Sequence, residues 1–154
     1  MKKILYCILI IAVVLTIVSC GDKDGQELNS INPGLYEIEF NLKYAGQLVR
    51  MKQRVRYNPE GTYEATNFQG NVAVEELKGK YKVENKQLVS YNTYDRNIAR
   101  EGTWEPKEES RVDVRKMKKE SYQYYYKYPN DQLREQYRGL GLSEGWKTYS
   151  RISN

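Results

Sequence analysis

Residues 34–57 read GLYEIEFNLKYAGQLVRMKQRVRY, and their alternation decides the fold. In Leu35–Lys43, Tyr36, Ile38, Phe40 and Leu42 fall on one face, and Leu35, Glu37, Glu39 and Asn41 on the other. In Leu48–Tyr57, Val49, Met51, Val55 and Tyr57 share a face on which Gln53 is the polar exception. Arg50, Lys52, Arg54 and Arg56 occupy the reverse. A repeat of two is that of a strand with one buried face. A turn at Ala45-Gly46 sets Glu39 opposite Lys52, Glu37 opposite Arg54, Phe40 opposite Met51 and Leu42 opposite Val49. One register satisfies the apolar and the charged face together. A slip by one residue would turn every side chain over, so this agreement predicts a hairpin.

The same period runs outward from the hairpin. Asn58-Pro59-Glu60-Gly61 is a strong turn, because proline presets one dihedral and glycine accepts a positive one. Further strands are predicted over Thr62–Phe68, Glu75–Val83, Gln87–Thr93, Ile98–Glu105, Arg111–Lys118, Ser121–Tyr128 and Trp146–Ile152. Short connections such as Glu84-Asn85-Lys86 and Asp95-Arg96-Asn97 join them. One helix is expected from about Asp131 to Arg138, capped by Asn130, stopped by Gly139 and carrying Leu133 and Tyr137 as its apolar stripe. The fold class is therefore all-β: an antiparallel up-and-down β-barrel of about eight to ten strands with one short helix near the C-terminus. A sandwich is the alternative. An open sheet fits poorly, since one helix cannot cover so much apolar face.

Four times a glycine is followed two residues later by an aromatic: Gly34-Leu35-Tyr36, Gly61-Thr62-Tyr63, Gly79-Lys80-Tyr81 and Gly102-Thr103-Trp104. Each glycine would leave room beside an inward ring or bend the strand, as closing a barrel requires. With Tyr57-Asn58-Pro59-Glu60-Gly61-Thr62-Tyr63, Gly79-Lys80-Tyr81-Lys82-Val83, Leu88 and a closing Trp146-Lys147-Thr148-Tyr149, the chain resembles the lipocalin-like domains of small Bacteroidetes lipoproteins over most of residues 33–152. Two departures stand out. Lipocalins proper open with glycine-x-tryptophan where Tyr36 stands here, and Asn130–Gly145 inserts before the last strand. The resemblance implies a barrel with a central cavity and brings no catalytic residues with it.

Composition narrows the chemistry. The chain has no histidine and two cysteines, Cys7 and Cys20. If Cys7 leaves with a signal sequence and Cys20 is modified, the remaining domain has no thiol, disulfide or imidazole. That excludes cysteine and histidine nucleophile–base pairs and thiolate or imidazole zinc sites. Glu75-Glu76 and Glu108-Glu109 are adjacent, so on strands they point to opposite faces and do not make an acid–base pair. The expectation is no enzyme, no cofactor and no metal. Charge is mild, +5 overall, with acids interspersed among bases, so no nucleic-acid arm is marked. Asp22-Lys23-Asp24-Gly25 lacks the glycine a helix–loop–helix calcium loop needs at its sixth position, where Glu27 stands.

Two candidate sites remain. Tyr122, Tyr124, Tyr126 and Tyr128 fall on one face of a strand, with Tyr125 opposite. Together with Tyr36, Tyr63, Tyr81 and Trp104 they either line a ligand pocket or form a plain inner wall. The helix over Asp131–Arg138 is either a lid on that space or a plug. Arg50, Lys52, Arg54 and Arg56 would meet an anionic headgroup or an acidic partner, or else pair with Glu37 and Glu39 as a solvated outer face. The expected role is a non-catalytic binding module for a small amphipathic or apolar ligand. The alternative is an envelope interaction or inhibitor protein that docks a protein partner on its outer surface.

The N-terminus supplies the address. Lys2 and Lys3 precede an apolar run of fifteen residues, Ile4 to Val18, the length of a signal core and short for a bilayer span. The run ends in Ile17-Val18-Ser19-Cys20, which resembles the lipobox of bacterial lipoproteins. The resemblance implies removal of residues 1–19 as signal peptide and diacylglycerol, usually with a further acyl chain such as palmitate, at Cys20. Two chains suffice for stable anchoring at about 0.8 kcal/mol per buried methylene. Residues 20–32, beginning with polar, glycine-punctuated Gly21–Glu27, then read as a flexible tether to a domain over 33–154. Gly21 replaces the aspartate linked to inner-membrane retention in enterobacteria, which implies the cell outer membrane; Asp22 and Asp24 loosely match a surface-export signal. Cys20→Ala should abolish palmitate labelling and leave unprocessed precursor, and unchanged labelling would refute the anchor.

Overall fold

The computed structural model describes residues 28–116, 121–128 and 130–154. The expected signal peptide, Cys20 and the tether as far as Glu27 lie outside the described residues. Within them the strands are β1 (Gly34–Tyr44), β2 (Gln47–Tyr57), β3 (Thr62–Gln69), β4 (Val72–Glu84), β5 (Gln87–Asn97), β6 (Glu105–Lys107), β7 (Ser110–Lys116), β8 (Tyr122–Tyr126) and β9 (Gly145–Ser153). A helix, α1 (Asp131–Gly139), precedes the last. β6 and β7 lie along β5 in one register, Thr93 opposite Lys107 and Ser90 opposite Ser110, and act as a single interrupted strand. Every neighbour is antiparallel and β9 returns to β1, so the sheet closes as an eight-stranded up-and-down barrel.

The hairpin of β1 and β2 has the register the alternation predicts, with Glu37 opposite Arg54, Glu39 opposite Lys52 and Phe40 opposite Met51. Ala45 and Gly46 both have positive φ, 48° and 78°. This is the two-residue turn whose twist matches that of the strands. Asn85 and Lys86 repeat it between β4 and β5, with φ of 52° and 63°.

Inward side chains of all the strands but β6 meet in one core: Tyr36, Ile38, Val55, Tyr57, Tyr63, Ala65, Leu88, Val114, Tyr122 and Tyr149, with Leu77, Tyr81, Val83, Val112 and Tyr124 packed against them. Leu28 and Ile31 belong to this core too. Residues 28–32 lie across one end of the barrel, between Tyr36, Lys116 and Tyr122 on one side and Pro59, Gly61 and Tyr81 on the other. The packed domain therefore begins by Leu28, inside the stretch the sequence assigns to the tether. We call this end plugged and the opposite end, where the turns at Ala45-Gly46 and Gly70-Asn71 lie, the mouth.

Several expectations are corrected. Ile98–Glu105 is not a strand: Ile98–Arg100 is a single 3₁₀ turn capped by the Asn97 side chain, and β6 starts only at Glu105. Asp95-Arg96-Asn97, expected as a turn, is the end of β5. Trp104 does not point inward. It lies outside the barrel between Lys78 and Arg96, whose charged groups stand 4.1 and 4.8 Å from its ring centre. Tyr128 falls beyond the end of β8. Asn130 caps α1 as predicted, accepting from the Leu133 N–H at 2.9 Å. The stop, however, is Gly141 at φ +81°, not Gly139. The Leu142 N–H reaches the Tyr137 carbonyl at 3.0 Å and the Gly141 N–H that of Arg138 at 2.9 Å, the paired closure that needs a left-handed residue.

Gly79 serves its neighbours rather than Tyr81. A Cβ there would stand 3.1 Å from Tyr63 Cε1 and 2.9 Å from Thr93 Oγ1, the two groups that hydrogen-bond to each other at 3.0 Å. Gly79→Ala should cost about 1–3 kcal/mol, the usual penalty for overfilling a packed core, read as a lower midpoint in urea unfolding. An unchanged midpoint would refute this account of the glycine.

Candidate functional site

The lower barrel is filled by tyrosine. Tyr36 stands edge-on to Tyr57 and Tyr122, with centroids at 5.7 and 5.4 Å. Tyr57 meets Tyr81 at 4.6 Å, and Tyr122 stacks on Tyr149 at 5.0 Å. Buried hydroxyls need partners, and these have them. The Tyr57 and Tyr122 hydroxyls bond to each other at 2.8 Å across the core, Tyr36 donates to the Asn32 carbonyl at 2.9 Å, and Tyr81 donates to that of Asn58 at 3.2 Å. Burial pushes the pKa of Tyr57, Tyr122 and Tyr149 well above the ordinary phenol value.

Above this floor the filling stops. Phe40 points inward with Tyr36 and Ile38, yet is 37% exposed. Leu42, Met51, Tyr124 and Tyr126, also on inward positions, are only partly covered. Burial raises the Tyr124 pKa to about 12, and that of Tyr126 more weakly. The barrel wall is also incomplete here. β1 pairs with β9 only over Leu35–Glu37. Beyond that, the Lys43 N–H donates to the Leu140 carbonyl at 2.7 Å, so the end of α1 covers the free edge. Tyr137 of α1 stacks on Tyr128, whose hydroxyl donates to the Leu142 carbonyl at 2.8 Å. The helix thus sits at the rim, bound through its C-terminal end.

The opposite wall of the mouth is polar. Asp95 pairs with Leu77 across the sheet and with Glu105, so both carboxylates take the inward side, with Glu75 beyond. Lys107 Nζ lies 2.7 Å from Asp95 Oδ2, and this hydrogen bond is the main cause of its raised pKa. A directed chain of hydrogen bonds leads to this wall from the core. Tyr149 donates to the Gln53 carbonyl oxygen, Gln53 donates to Asn67 at 2.7 Å, and Asn67 donates to Glu75. Gln53, the polar exception of the sequence, is the second link. Among the described residues no group of three or more carboxylates is gathered closely enough to hold a metal ion.

The structure divides the residues singled out from sequence. Tyr36, Tyr63 and Tyr122 are sealed in the core and Tyr81 is half-buried against it; Tyr124 and Tyr126 reach the mouth, Tyr128 its rim, and Trp104 the outer face. The basic row is largely committed. Arg50 is held by both oxygens of Glu39 at 2.7 and 2.6 Å, and Arg54 by Glu37 at 2.6 Å. Lys52 stands 5.0 Å from the ring centre of Phe68. Arg56, opposite Glu64, makes no ion pair among the described residues. No local pattern in the sequence marks Asp95, Glu105 and Lys107 as site residues, and Glu75 stands out there only as half of an adjacent pair.

No family model, no curated protein and no solved structure matches the chain. The likeness to lipocalin-like lipoproteins rests on the motifs quoted above.

The tyrosine floor sets a pH limit. A phenol whose pKa is raised by folding lends its full stability below the ordinary value near 10 and loses it as pH climbs, because the unfolded chain ionises first. Stability should therefore fall steadily from about pH 10 upward, with Tyr57, Tyr122 and Tyr149 silent in phenolate absorbance until the barrel unfolds. Ionisation of these three in an intact barrel would contradict the packing described.

Proposed function

We propose that this protein is a lipid-anchored lipoprotein of the cell envelope, held in the outer membrane through Cys20, and that its barrel is a non-catalytic binding module. The ligand is a small amphipathic molecule seated in the mouth. One observation carries the reading: an inward ring, Phe40, is left 37% exposed directly above a layer that is closed. A barrel built only as a scaffold gains by filling that space, at about 25 cal/mol per Å² of apolar surface covered. An eight-stranded barrel has room for side chains or for one small ligand. Here side chains take the lower half and leave the upper. The mouth sets Phe40, Leu42, Met51, Tyr124 and Tyr126 against Glu75, Asp95 and Lys107. Such a pairing of walls suits a molecule with an apolar body and a polar end. The lipoprotein address is supported by Lys2-Lys3, the apolar run and Ile17-Val18-Ser19-Cys20.

A second reading has its own support. Leu48 is 75% and Val72 66% exposed, and both adjoin turns of the mouth. They form an apolar rim on which an envelope protein could dock, with the barrel as a rigid stand.

The two readings separate on substitutions of opposite orientation. Phe40→Asp places a charge in the mouth and Leu48→Asp places one on the rim. Native mass spectrometry of the domain from cell extract should show a bound small molecule, weakened about tenfold or more by Phe40→Asp and unaffected by Leu48→Asp. Consistently empty protein, with a protein partner lost on Leu48→Asp, would overturn the ligand reading in favour of docking.

A further inference from the structure

We infer that the barrel stands on the membrane on its plugged end, so that the mouth opens away from the lipid. The inference rests on the lipidation of Cys20 proposed above and adds the direction in which the anchored domain faces.

The argument starts from where the chain enters the barrel. Leu28 and Ile31 are 8% and 4% exposed and fixed in the core at the plugged end. Eight peptide steps separate Cys20 from Leu28. Fully extended they reach at most about 29 Å, at 3.3–3.6 Å each. As a flexible Gly-containing segment their root-mean-square span is about 16 Å. The wall of the barrel is longer than that. β1 alone runs eleven residues from the plugged end to the mouth. At about 3.3 Å per residue and a tilt near 40°, it rises about 27 Å along the axis. Laying the mouth on the bilayer would stretch the tether almost taut along the whole barrel, at a large cost in chain entropy. Resting on the plugged end leaves it slack.

The surfaces agree with this direction. The plugged end carries the turns Asn58–Gly61 and Asn85-Lys86 together with Lys116. Among the described residues, Lys86 and Lys116 stand against Glu60 and Glu84 and leave no net negative charge to repel an anionic headgroup layer; Glu84 is itself neutralised by Lys82 at 2.9 Å and Arg111 at 2.9 Å. The apolar rim at Leu48 and Val72 then faces the aqueous side, where a soluble ligand arrives.

The absence of any other cysteine in the processed chain makes the test direct. Full-length lipidated protein carrying Glu60→Cys or Asn71→Cys, each labelled with a fluorophore, is reconstituted in vesicles of phosphatidylcholine and phosphatidylglycerol containing a nitroxide-headgroup lipid. Fluorescence should be lost at position 60 and retained at position 71. Lengthening the tether with a Gly-Ser insert after Gly25 should erase much of the contrast. Equal quenching at both positions, or stronger quenching at 71, in protein that sediments with the vesicles overturns the orientation and leaves the anchor standing. Protein that stays in the supernatant with an unmodified N-terminal peptide overturns the anchor itself.

Discussion

The width of an eight-stranded barrel is the constraint on which this structure depends. Such an interior holds little more than one layer of large side chains from facing walls. In the lower half that layer is tyrosine. A phenylalanine core would fill the same space and carry no polar atoms. Tyrosine adds hydroxyls that must be paired in a dry environment, and their pairing fixes which rings face one another. The Tyr57–Tyr122 bond is the clearest case, because it joins β2 to β8 across the core, between strands that are not neighbours in the sheet. It ties the two sides of the barrel at a level where backbone pairing alone would set only the circumference.

From that layer the two ends differ in kind. Below it, the Tyr36 hydroxyl reaches the Asn32 carbonyl and Leu28 and Ile31 close the opening, so the segment that precedes β1 is also part of the core. Above it, Phe40 stays 37% exposed among the described residues. The closed floor thus follows from the packing of tyrosine rings with paired hydroxyls at one end of the inward columns, a packing that does not extend to Phe40 at the other. This makes the proposed binding site shallow. A ligand held there would be enclosed on its lower side and free above, a geometry suited to exchange rather than permanent retention.

Much of this was legible in the sequence, and for a physical reason. The β1–β2 register could be read because both faces constrained it independently, Glu37 and Glu39 against the basic row and Phe40 and Leu42 against Met51 and Val49. The N-terminus of α1 could be read because Asn130 acts on an N–H three residues away. Readings failed where distant residues decide. Gly102-Thr103-Trp104 has the same local pattern as the three inward motifs. Its ring is drawn outside by Lys78 and Arg96, which no local pattern reveals. Leu28 and Ile31 look like tether because they lie in a polar stretch, and only the barrel end gives them something to pack against. The tyrosine row of β8 was visible as a row, but its division into floor and mouth depends on what the other strands place at each level.

The polar wall of the mouth was the least legible part, and one extra residue accounts for it. Along β5, Leu88 and Ser90 face inward, opposite Val83 and Tyr81. Strict alternation would continue the inward column through Asn92 and Tyr94. Instead the register shifts between Lys78 and Lys80, and Asn92 takes a positive φ of 48°. Two residues of β5 then oppose the single Gly79, and every later side chain changes sides. Thr93 turns in to meet Tyr63, Tyr94 turns out to solvent, and Asp95 takes the inward place that alternation would have given to tyrosine. Without the bulge this wall would carry a tyrosine in place of Asp95, beside the inward Glu75 of β4. With it, a carboxylate held by Lys107 at 2.7 Å takes an inward position on this wall. Part of the polar character of the mouth, the inward Asp95, therefore comes from an irregularity in the sheet, and Gly79, which lets the bulge close against it, bears on the chemistry of the mouth as well as on the packing of the core.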